Sequence, residues 1–289
     1  TKPYWLEANK LKEKHSTSDG HYLLVPKLKG SERNEAIPLT AFSSAHGLKV
    51  VTGKGYPTKI PINEDTAWLM GLYVAEGCIS QTHGKPFSFQ FALNKNETVL
   101  FDRIKKIMAS LGYRSKQKAQ KSDAVSVILY SRLLARAFKE WFGDGAPNKR
   151  IPDFILFHEN PSIPASFLQG YMEGDGCIVL DKKCDQKFYI ASTVSRILVQ
   201  QLQLLLARFG ILGNITTRMR EDGVILGRNV KLHTQYGFAF KTKFRHPFKV
   251  AIGDDYIATP LRKIEEAPFR GKVYNIRTSD NTYLVSNAV

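Results

Sequence analysis

Apolar positions along the chain follow strand and helix periods in a repeating order. In residues 87–93, apolar residues alternate with polar or small ones, which is typical of a strand with one buried face. Residues 99–111 and 197–209 instead carry an apolar stripe at helical spacing. Each helical segment is followed by a glycine, Gly112 or Gly210, the residue type that most often ends a helix. The pattern therefore predicts two similar blocks of mixed strands and helices.

An internal repeat supports this division into two blocks. Residues 69–79 match residues 168–178 at an offset of 99 positions. The identical pairs are Leu69 and Leu168, Gly71 and Gly170, Gly77 and Gly176, Cys78 and Cys177, and Ile79 and Ile178. Each segment is predicted to be an apolar helix closed by a glycine. We therefore expect an α+β chain with two related halves, roughly residues 61–160 and 161–256.

Small and acidic residues in the two repeated helices indicate a possible site. Gly71 and Gly170 lie inside the helices, where glycine costs about 1 kcal/mol relative to alanine but allows close backbone packing. Glu76 and Asp175 lie in the last turns, at the negative ends of the helix dipoles. If the helices pack side by side, two like charges meet and one carboxyl pKa rises, unless a cation lies between them. Such oxygen ligands suit Mg²⁺; the alternative is a pair of solvated acids.

The charge of the chain suggests a partner. Its 289 residues include 42 Lys and Arg against 26 Asp and Glu, a net charge of +16, which attracts polyanions such as nucleic acids. The alternative is a protein that is simply basic. No apolar run is long enough to cross a bilayer, and no targeting signal is recognisable. We therefore expect an intracellular protein of the cytoplasm or nucleoid.

Basic and polar side chains recur at every second position in several predicted strands. Residues 114–120 and 214–220 would each present them on one strand face. Two-stranded ribbons fit the major groove of DNA, where Arg, Lys and Gln read base edges. The predicted DNA-contacting residues are Ser88, Gln90, Arg114, Lys116, Lys118, Gln120, Lys187, Tyr189, Asn214, Thr216, Arg218, Arg220, Lys231, His233 and Gln235. The alternative is a solvated sheet face.

The duplicated motif resembles the paired motifs of LAGLIDADG homing endonucleases in their single-chain form, over residues from about 61 to 256. The resemblance implies two pseudo-symmetric αββαββα halves that form a saddle over DNA. It also implies that Glu76 and Asp175 are catalytic and bind the metal, Mg²⁺ with Mn²⁺ as a substitute. This chain departs from the motif in having Glu rather than Asp at position 76. The earlier acidic position is Val74 in the first copy and Glu173 in the second.

A loop before the second motif adds a candidate catalytic lysine. Lys149-Arg150-Ile151-Pro152 is similar to a Lys-x-Ile-Pro element of intein-encoded family members. The resemblance implies that Lys149 lies near the active site, where it would polarise water or stabilise charge on phosphate. Its counterpart in the second half is Lys243 or Lys249. Lys249 is preferred because it lies 74 residues after Asp175, against 73 residues from Glu76 to Lys149.

The two ends of the chain resemble pieces of the β-rich Hint fold of inteins. Residues 4–28 and 271–285 carry this resemblance, and the second segment has the pattern of a strand, a turn and a strand. It implies a small Hint-like remnant built from residues 1–60 and 257–289. The splicing residues of an intein are not recognisable in this sequence, so we expect no self-splicing of the chain as given.

These observations predict a site-specific endonuclease that makes a metal-dependent double-strand break in a long, asymmetric DNA site. The reaction would be phosphodiester hydrolysis, and a single chain with two halves would act as a monomer. One alternative is a non-cleaving DNA- or RNA-binding relative, such as a transcription factor or a maturase. Another is a protein-processing Hint module, which the missing splicing residues oppose.

Overall fold

A computed structural model describes most of the chain. The described residues are 6–14, 20–44, 57–120, 123–181, 186–220, 223–225, 228–230, 233–241, 251–266, 268 and 270–272. Three of the lysines named above, Lys231, Lys243 and Lys249, lie outside these ranges. The same holds for residues 273–289, which include most of the C-terminal strand, turn and strand segment.

The helices and strands alternate along the described chain. The α-helices are α1 Ala41–Ser44, α2 Glu64–Glu76, α3 Thr98–Ser110, α4 Arg132–Phe142, α5 Asp153–Leu156, α6 Ser162–Asp175 and α7 Arg196–Arg208. The first strands are β1 Tyr22–Pro26, β2 Ala36–Pro38, β3 Lys59–Pro61, β4 Gly77–Thr82, β5 Lys85–Asn94, β6 Ser115–Ala119 and β7 Ala124–Leu129. The later strands are β8 Gly176–Asp181, β9 Gln186–Thr193, β10 Asn214–Arg218, β11 Gly223–Ile225, β12 Arg228–Val230, β13 Gln235–Phe240, β14 Ala251–Ile252 and β15 Tyr256–Pro260. Short 3₁₀ helices span Ala8–Lys10 and Ala146–Asn148.

The predicted division into two similar halves is seen in the topology. The first half runs α2-β4-β5-α3-β6-β7-α4, and its sheet has the strand order β4-β5-β7-β6. The second half runs α6-β8-β9-α7-β10-β13, and its sheet has the equivalent order β8-β9-β13-β10. The hairpin of β11 and β12 lies between β10 and β13 in the chain and forms a sheet of its own. The predicted α+β fold of two related halves is therefore confirmed.

The two repeated helices, α2 and α6, pack against each other at their glycines. A Cβ atom added to Gly71 would lie closer than 3.0 Å to the Phe167 carbonyl oxygen, a distance that real Cβ atoms essentially never show. A Cβ atom added to Gly170 would be equally close to the Trp68 carbonyl oxygen. Only glycine leaves room for the opposite backbone here, which explains why two helices carry a residue that weakens a helix.

One hydrophobic core connects the halves. Trp68 and Tyr73 of α2 are fully buried in the same cluster as Phe167 and Tyr171 of α6. Their neighbours on the sheets include Phe89 in the first half and Phe238 in the second. Because the helix pair lies inside a shared core, its orientation is set by both sheets and not by the helix contact alone. This packing holds the ends of α2 and α6 in a defined relation.

The N-terminal segment and the C-terminal part of the described chain form a sheet together. Strand β1 pairs antiparallel with β15, with Tyr22 opposite Pro260 and Pro26 opposite Tyr256, and β14 adds to the other edge of β15. The C-terminal strands of this sheet start with β14 at Ala251, a few residues before the predicted end of the second half at residue 256. The Hint-like interpretation of these segments stays a prediction. In the described ranges, no helix has the length and apolarity needed to cross a membrane.

Candidate active site and nucleic-acid interface

The two predicted acids meet at the same end of the helix pair. Helix α2 ends at Glu76 and α6 ends at Asp175, and each is followed by a glycine in extended conformation. The side chain of Glu76 passes over Gly174, where an added Cβ would lie 3.1 Å from the Glu76 Cγ and 2.5 Å from the Ala75 Cβ. Gly174 therefore provides the space that lets the Glu76 side chain lie next to Asp175.

The surroundings of both carboxyl groups disfavour their charged forms. Partial burial, together with the negative charges of Asp175 and Glu97, raises the pKa of Glu76 to about 7. Asp175 is exposed as a residue, yet burial around its carboxyl group raises its pKa to about 6, while the positive charge of Lys149 opposes this rise. Two acids with raised pKa values at one site form a place where a bound cation would relieve an unfavourable field.

Lys149 lies beside these acids and is 6% exposed. Its Nζ donates hydrogen bonds to the carbonyl oxygens of Tyr73, at 2.9 Å, and Gly77, at 2.8 Å, and it lies 3.9 Å from the centre of the Tyr73 ring. The ammonium group thereby occupies the negative end of α2, where a cation is stabilised by the helix dipole. Burial lowers the pKa of Lys149 to about 8, although the negative charges of Asp144 and Asp175 oppose this shift.

The loop that carries Lys149 is attached to the second half by α7. The Ser195 hydroxyl donates a hydrogen bond of 2.6 Å to the Lys149 carbonyl oxygen. The Gln201 side chain accepts from the Ile151 N–H at 2.7 Å and donates to the Ile151 carbonyl at 2.8 Å. Lys149, whose side chain binds carbonyl oxygens at the end of α2, is thus held in place by residues of the second half. Sequence reasoning missed Ser195, Gln201 and Gly174; the one available signal was that Gly174 and Ala75 are both small and offset by 99 positions.

The earlier acidic position in the second motif makes a structural contact. Glu173 Oε2 accepts a hydrogen bond of 2.9 Å from the indole N–H of Trp68, and its Oε1 accepts one of 2.7 Å from Gln169. Glu173 therefore connects α6 to α2. In the first half this position is Val74, which is 2% exposed.

The basic face predicted for the first half lies on the side of its sheet away from the core. Gln90 is opposite both Cys78 and Ile128 in the strand register, and Lys116 is opposite Ile128 on the other side of β7. Since paired residues share a face, Gln90 and Lys116 lie on one surface, with Lys118 two positions along. Further along, Gln120 donates a hydrogen bond of 2.8 Å to Ser126. Arg114 precedes β6 and is exposed.

The second sheet has a matching polar face. The strand register places Thr216 opposite Gly237 and then Ser192, and Arg218 opposite Gln235, while Asn214 lies on the same face. Gln235 donates a hydrogen bond of 3.0 Å to the Ser192 hydroxyl. Its side-chain oxygen accepts one of 2.5 Å from Arg220, and His233 lies exposed just before β13.

The structure places two of the predicted DNA-contacting residues, Ser88 and Tyr189, away from the exposed polar faces, and their contact with DNA stays a prediction. Ser88 has the expected strand face but is only 2% exposed. Tyr189 lies on the helix-facing side of β9, where its ring stacks on Phe240 at 5.1 Å and an interplanar angle of 13°. Lys187, two residues earlier in β9, lies on that same side of the strand but is exposed, so its contact with DNA also stays a prediction. Strand periodicity indicated two faces in each case, but it gave neither the depth of burial nor which face of β9 meets the helices.

The acid pair fits a divalent cation such as Mg²⁺. In the ranges that the structure describes, no group of three or more His, Cys, Asp and Glu residues is placed to hold a metal ion. Mg²⁺ is commonly bound through one or two carboxylates, with water and substrate phosphates as its other ligands. Glu76 and Asp175 are two carboxylates with raised pKa values at one exposed edge, so this donor set suits such an ion when a phosphate-bearing ligand is present.

The raised carboxyl pKa values predict a pH dependence of stability. A folded-state pKa above the unfolded value means that the folded chain binds more protons between pH 4.5 and 7, so stability falls as the pH rises through this range. In the presence of EDTA, we expect the free energy of unfolding in urea to fall less steeply between pH 5 and 8 for Glu76→Gln than for the unchanged protein. Asp102→Asn, at an exposed position of α3, is the control and should keep the slope of the unchanged protein. If Glu76→Gln also kept this slope, the raised pKa of Glu76 would be contradicted.

A comparison with known protein families identifies a similar domain in the second half of the chain. A family model for a LAGLIDADG-like domain matches residues 162–230. The match begins at the first residue of α6 and extends to the end of β12. It therefore includes Asp175, the loop after β10 and the first part of the second sheet.

Several curated proteins are similar over most of the chain. It is 28% identical to the ATP-dependent DNA helicase Hel308 of Thermococcus kodakarensis, in an alignment that covers 98% of this chain and 27% of the helicase. It is 27% identical to the iron-sulfur cluster assembly SufBD family protein Rv1461 of Mycobacterium tuberculosis, over 76% of this chain and 27% of that protein. The chain thus spans about a quarter of the length of these relatives.

Solved structures with similar folds include a homing endonuclease and a LAGLIDADG domain. A structure of the homing endonuclease I-DmoI in complex with DNA and Ca has a TM-score of 0.44 and 13% identity, and the alignment covers 62% of this chain and 83% of that one. The N-terminal LAGLIDADG domain of DUF199/WhiA has a TM-score of 0.40 and 14% identity, with 63% and 78% covered.

Proposed function

We propose that this chain is a metal-dependent, site-specific DNA endonuclease of the homing type, which cuts both strands of a long, asymmetric duplex by phosphodiester hydrolysis. The observation that carries the proposal is the meeting of Glu76 and Asp175 at one end of a tightly packed helix pair, with Lys149 beside them. The match of residues 162–230 to the LAGLIDADG-like domain supports it. The net charge of +16 supports a polyanionic substrate.

Each residue of the site has a part in this proposal. Glu76 and Asp175 would hold the ion, and both become carboxylates near neutral pH because their pKa values are about 7 and 6. Such an ion supplies an activated water as nucleophile and stabilises charge on the phosphate. The Lys149 ammonium, held by two carbonyl oxygens, adds positive charge next to the carboxylates and favours the extra negative charge of the transition state. Lys249 is proposed as its counterpart for the second strand.

The two polar sheet faces would contact the DNA on either side of the acids. Lys116 and Lys118 on the first face differ from Asn214 and Thr216 at corresponding places on the second. Since both halves belong to one chain, they would read different half-sites and act as a monomer. The site would therefore be asymmetric. Because its substrate would be DNA, we expect the protein to work in the cytoplasm or nucleoid.

Selection from a randomised duplex library tests the proposal directly. We expect incubation with Mg²⁺ to yield cleaved molecules that share one long sequence, cut in both strands with short 3′ overhangs, and Mn²⁺ to substitute. Incubation with EDTA is the control and should yield no cleaved molecules. Enrichment of one sequence by binding, without cleavage in either metal, would contradict the proposal and favour a non-cleaving DNA-binding protein.

A further inference from the structure

A cavity of about 210 Å³ lies at the end of the first sheet, between the turn that joins β4 to β5 and helix α4. Four of the residues that line it are basic: His83, Lys85, Arg132 and Arg136. The hydroxyl-bearing residue Thr82 also lines it. All of the lining residues belong to the described part of the chain, and none of them is acidic. The cavity therefore combines several positive charges and hydrogen-bond donors without a carboxylate.

Arg136 makes this arrangement unfavourable in the absence of a ligand. Its Nε and Nη1 atoms are buried, and neither has a hydrogen-bond partner within the described structure. A buried charged donor without a partner is strongly destabilising. Arg132 lies one helical turn earlier, and like charges at this spacing destabilise a helix further. An anion in the cavity would offset both effects.

Asp144, two residues after the end of α4, already has partners of its own. Asp144 accepts a hydrogen bond of 2.7 Å from Gln81 and forms an ion pair of 2.9 Å with Lys139. Arg132 is instead oriented by an aromatic ring, with its guanidinium 5.5 Å from the centre of Phe87. The two unpartnered nitrogens of Arg136 are therefore available to a ligand, and the exposed Arg132 lines the same cavity.

We propose that this cavity binds a phosphate group, and that in the complex with DNA the group is a backbone phosphate. Arg side chains suit the planar, charge-assisted hydrogen bonds that phosphate oxygens accept. The volume of the cavity equals several water molecules of about 30 Å³ each, which is room for one phosphate group and water. The ligand class follows from the lining residues alone, whereas the DNA source rests on the proposed function.

The basic face of the first sheet continues to the cavity, which favours DNA as the source of the phosphate. Lys116 lies 5.7 Å from the ring centre of Tyr130, and this ring contacts Phe87 edge-on at 5.7 Å. Arg132 lies on the far side of this aromatic pair. A chain of cations and rings thus connects β6 to the cavity. A DNA backbone that leaves the polar face could place its next phosphate there.

Thermal unfolding with inorganic phosphate tests the ligand class. At equal ionic strength, replacing chloride by 10 mM phosphate should raise the melting temperature of the unchanged protein by about 2 °C more than that of Arg136→Met. The general stabilisation by phosphate salts is common to all variants and cancels in this difference. Lys106→Met, at an exposed position of α3, is the charge-matched control and should keep the full shift. An equal shift in every variant would overturn the proposal.

Because Arg136 is partly buried, the same measurement is made on the double variant Lys85→Met/Arg132→Met, whose two side chains are exposed. This variant should also lose the shift, and it keeps the test decisive if Arg136→Met does not fold. Arg136→Lys retains the charge but not the planar fork, and we expect an intermediate shift. A full shift in the double variant contradicts the proposal.

Binding to a 40-base-pair duplex of arbitrary sequence identifies the source of the phosphate. Measured by fluorescence anisotropy, the double variant should bind several-fold more weakly than Lys106→Met, and the slope of log K against log salt should fall by about 1 per lost phosphate contact. Loss of the phosphate shift with unchanged DNA affinity would overturn the DNA source and assign the cavity to free phosphate. Neither measurement uses cleavage. Both can therefore be interpreted even if the proposed nuclease activity is not found.

Discussion

Replacing Glu76 by Gln and Asp175 by Asn in one chain should reduce DNA cleavage at least 1000-fold, on the order of magnitude that loss of charge stabilisation in a hydrolytic site produces. The affinity for DNA should stay within about threefold, because phosphate contacts by Lys and Arg dominate binding. The physical reason is that these carboxyl groups meet at the ends of α2 and α6 and are the pair that we propose to hold the cation. Cleavage of a supercoiled plasmid that carries the selected site measures the loss.

The single substitutions separate the two acids. Either Glu76→Gln or Asp175→Asn should slow cutting of one strand more than the other, so that nicked plasmid accumulates. Asp102→Asn removes a carboxylate from an exposed position of α3 and should cut both strands as before. If both single variants and the double variant cut at the normal rate, the acids are not the active site and the proposed function fails with them.

Replacing Gly71 by Ala should destabilise the protein by about 2–3 kcal/mol and lower the melting temperature by roughly 5–10 °C. In an open helix the same change would stabilise by about 1 kcal/mol, so the sign of the effect tests the helix contact. The new Cβ would meet the Phe167 carbonyl oxygen, which belongs to backbone and cannot rotate away. The helices would have to separate, and cleavage should weaken as Glu76 and Asp175 move apart.

Urea denaturation of the variant and of two controls measures this effect. Ala165→Gly, at an exposed position of α6, reports the intrinsic preference of a helix and should cost only about 1 kcal/mol. Gly170→Ala places a Cβ against the Trp68 carbonyl oxygen and should reproduce the large loss. A stabilising Gly71→Ala would show that α2 and α6 are not in close contact at this residue.

Much of the fold could be predicted because its signals are local and repeated. The apolar stripe of residues 197–209 corresponds to α7, Arg196–Arg208, and the alternation in residues 87–93 lies within β5. The glycines offset by 99 positions indicated a contact between the two helices, and the structure has that contact at Gly71 and Gly170. A glycine inside an apolar helix is informative because it lowers helix stability unless another backbone lies against it.

The parts that could not be predicted depend on neighbours far along the chain. Ser88 and Gln90 have the same strand periodicity, but only the packing of the finished sheet covers Ser88. The sequence alone does not show which face of β9 Tyr189 lies on. In the structure it lies on the helix-facing side, where it stacks on Phe240, 51 residues later. Arg136 and Lys85 line one cavity only because α4 packs against the first sheet. Contacts of this kind have no period that a sequence pattern can reveal.

The sequence by itself determined that the chain has two related α+β halves, that each carries a glycine-bearing helix ending in an acid, and that its surface is basic. These features follow from periodicity, repetition and charge, which are properties of residues near one another in the chain. The tertiary structure alone decided that Glu76 lies against Gly174, that Lys149 is held by Ser195 of the other half, and that β1 pairs with β15. Burial and hydrogen bonding between distant segments are set by the whole fold, because the environment of each group is built by residues that adjoin it only after folding.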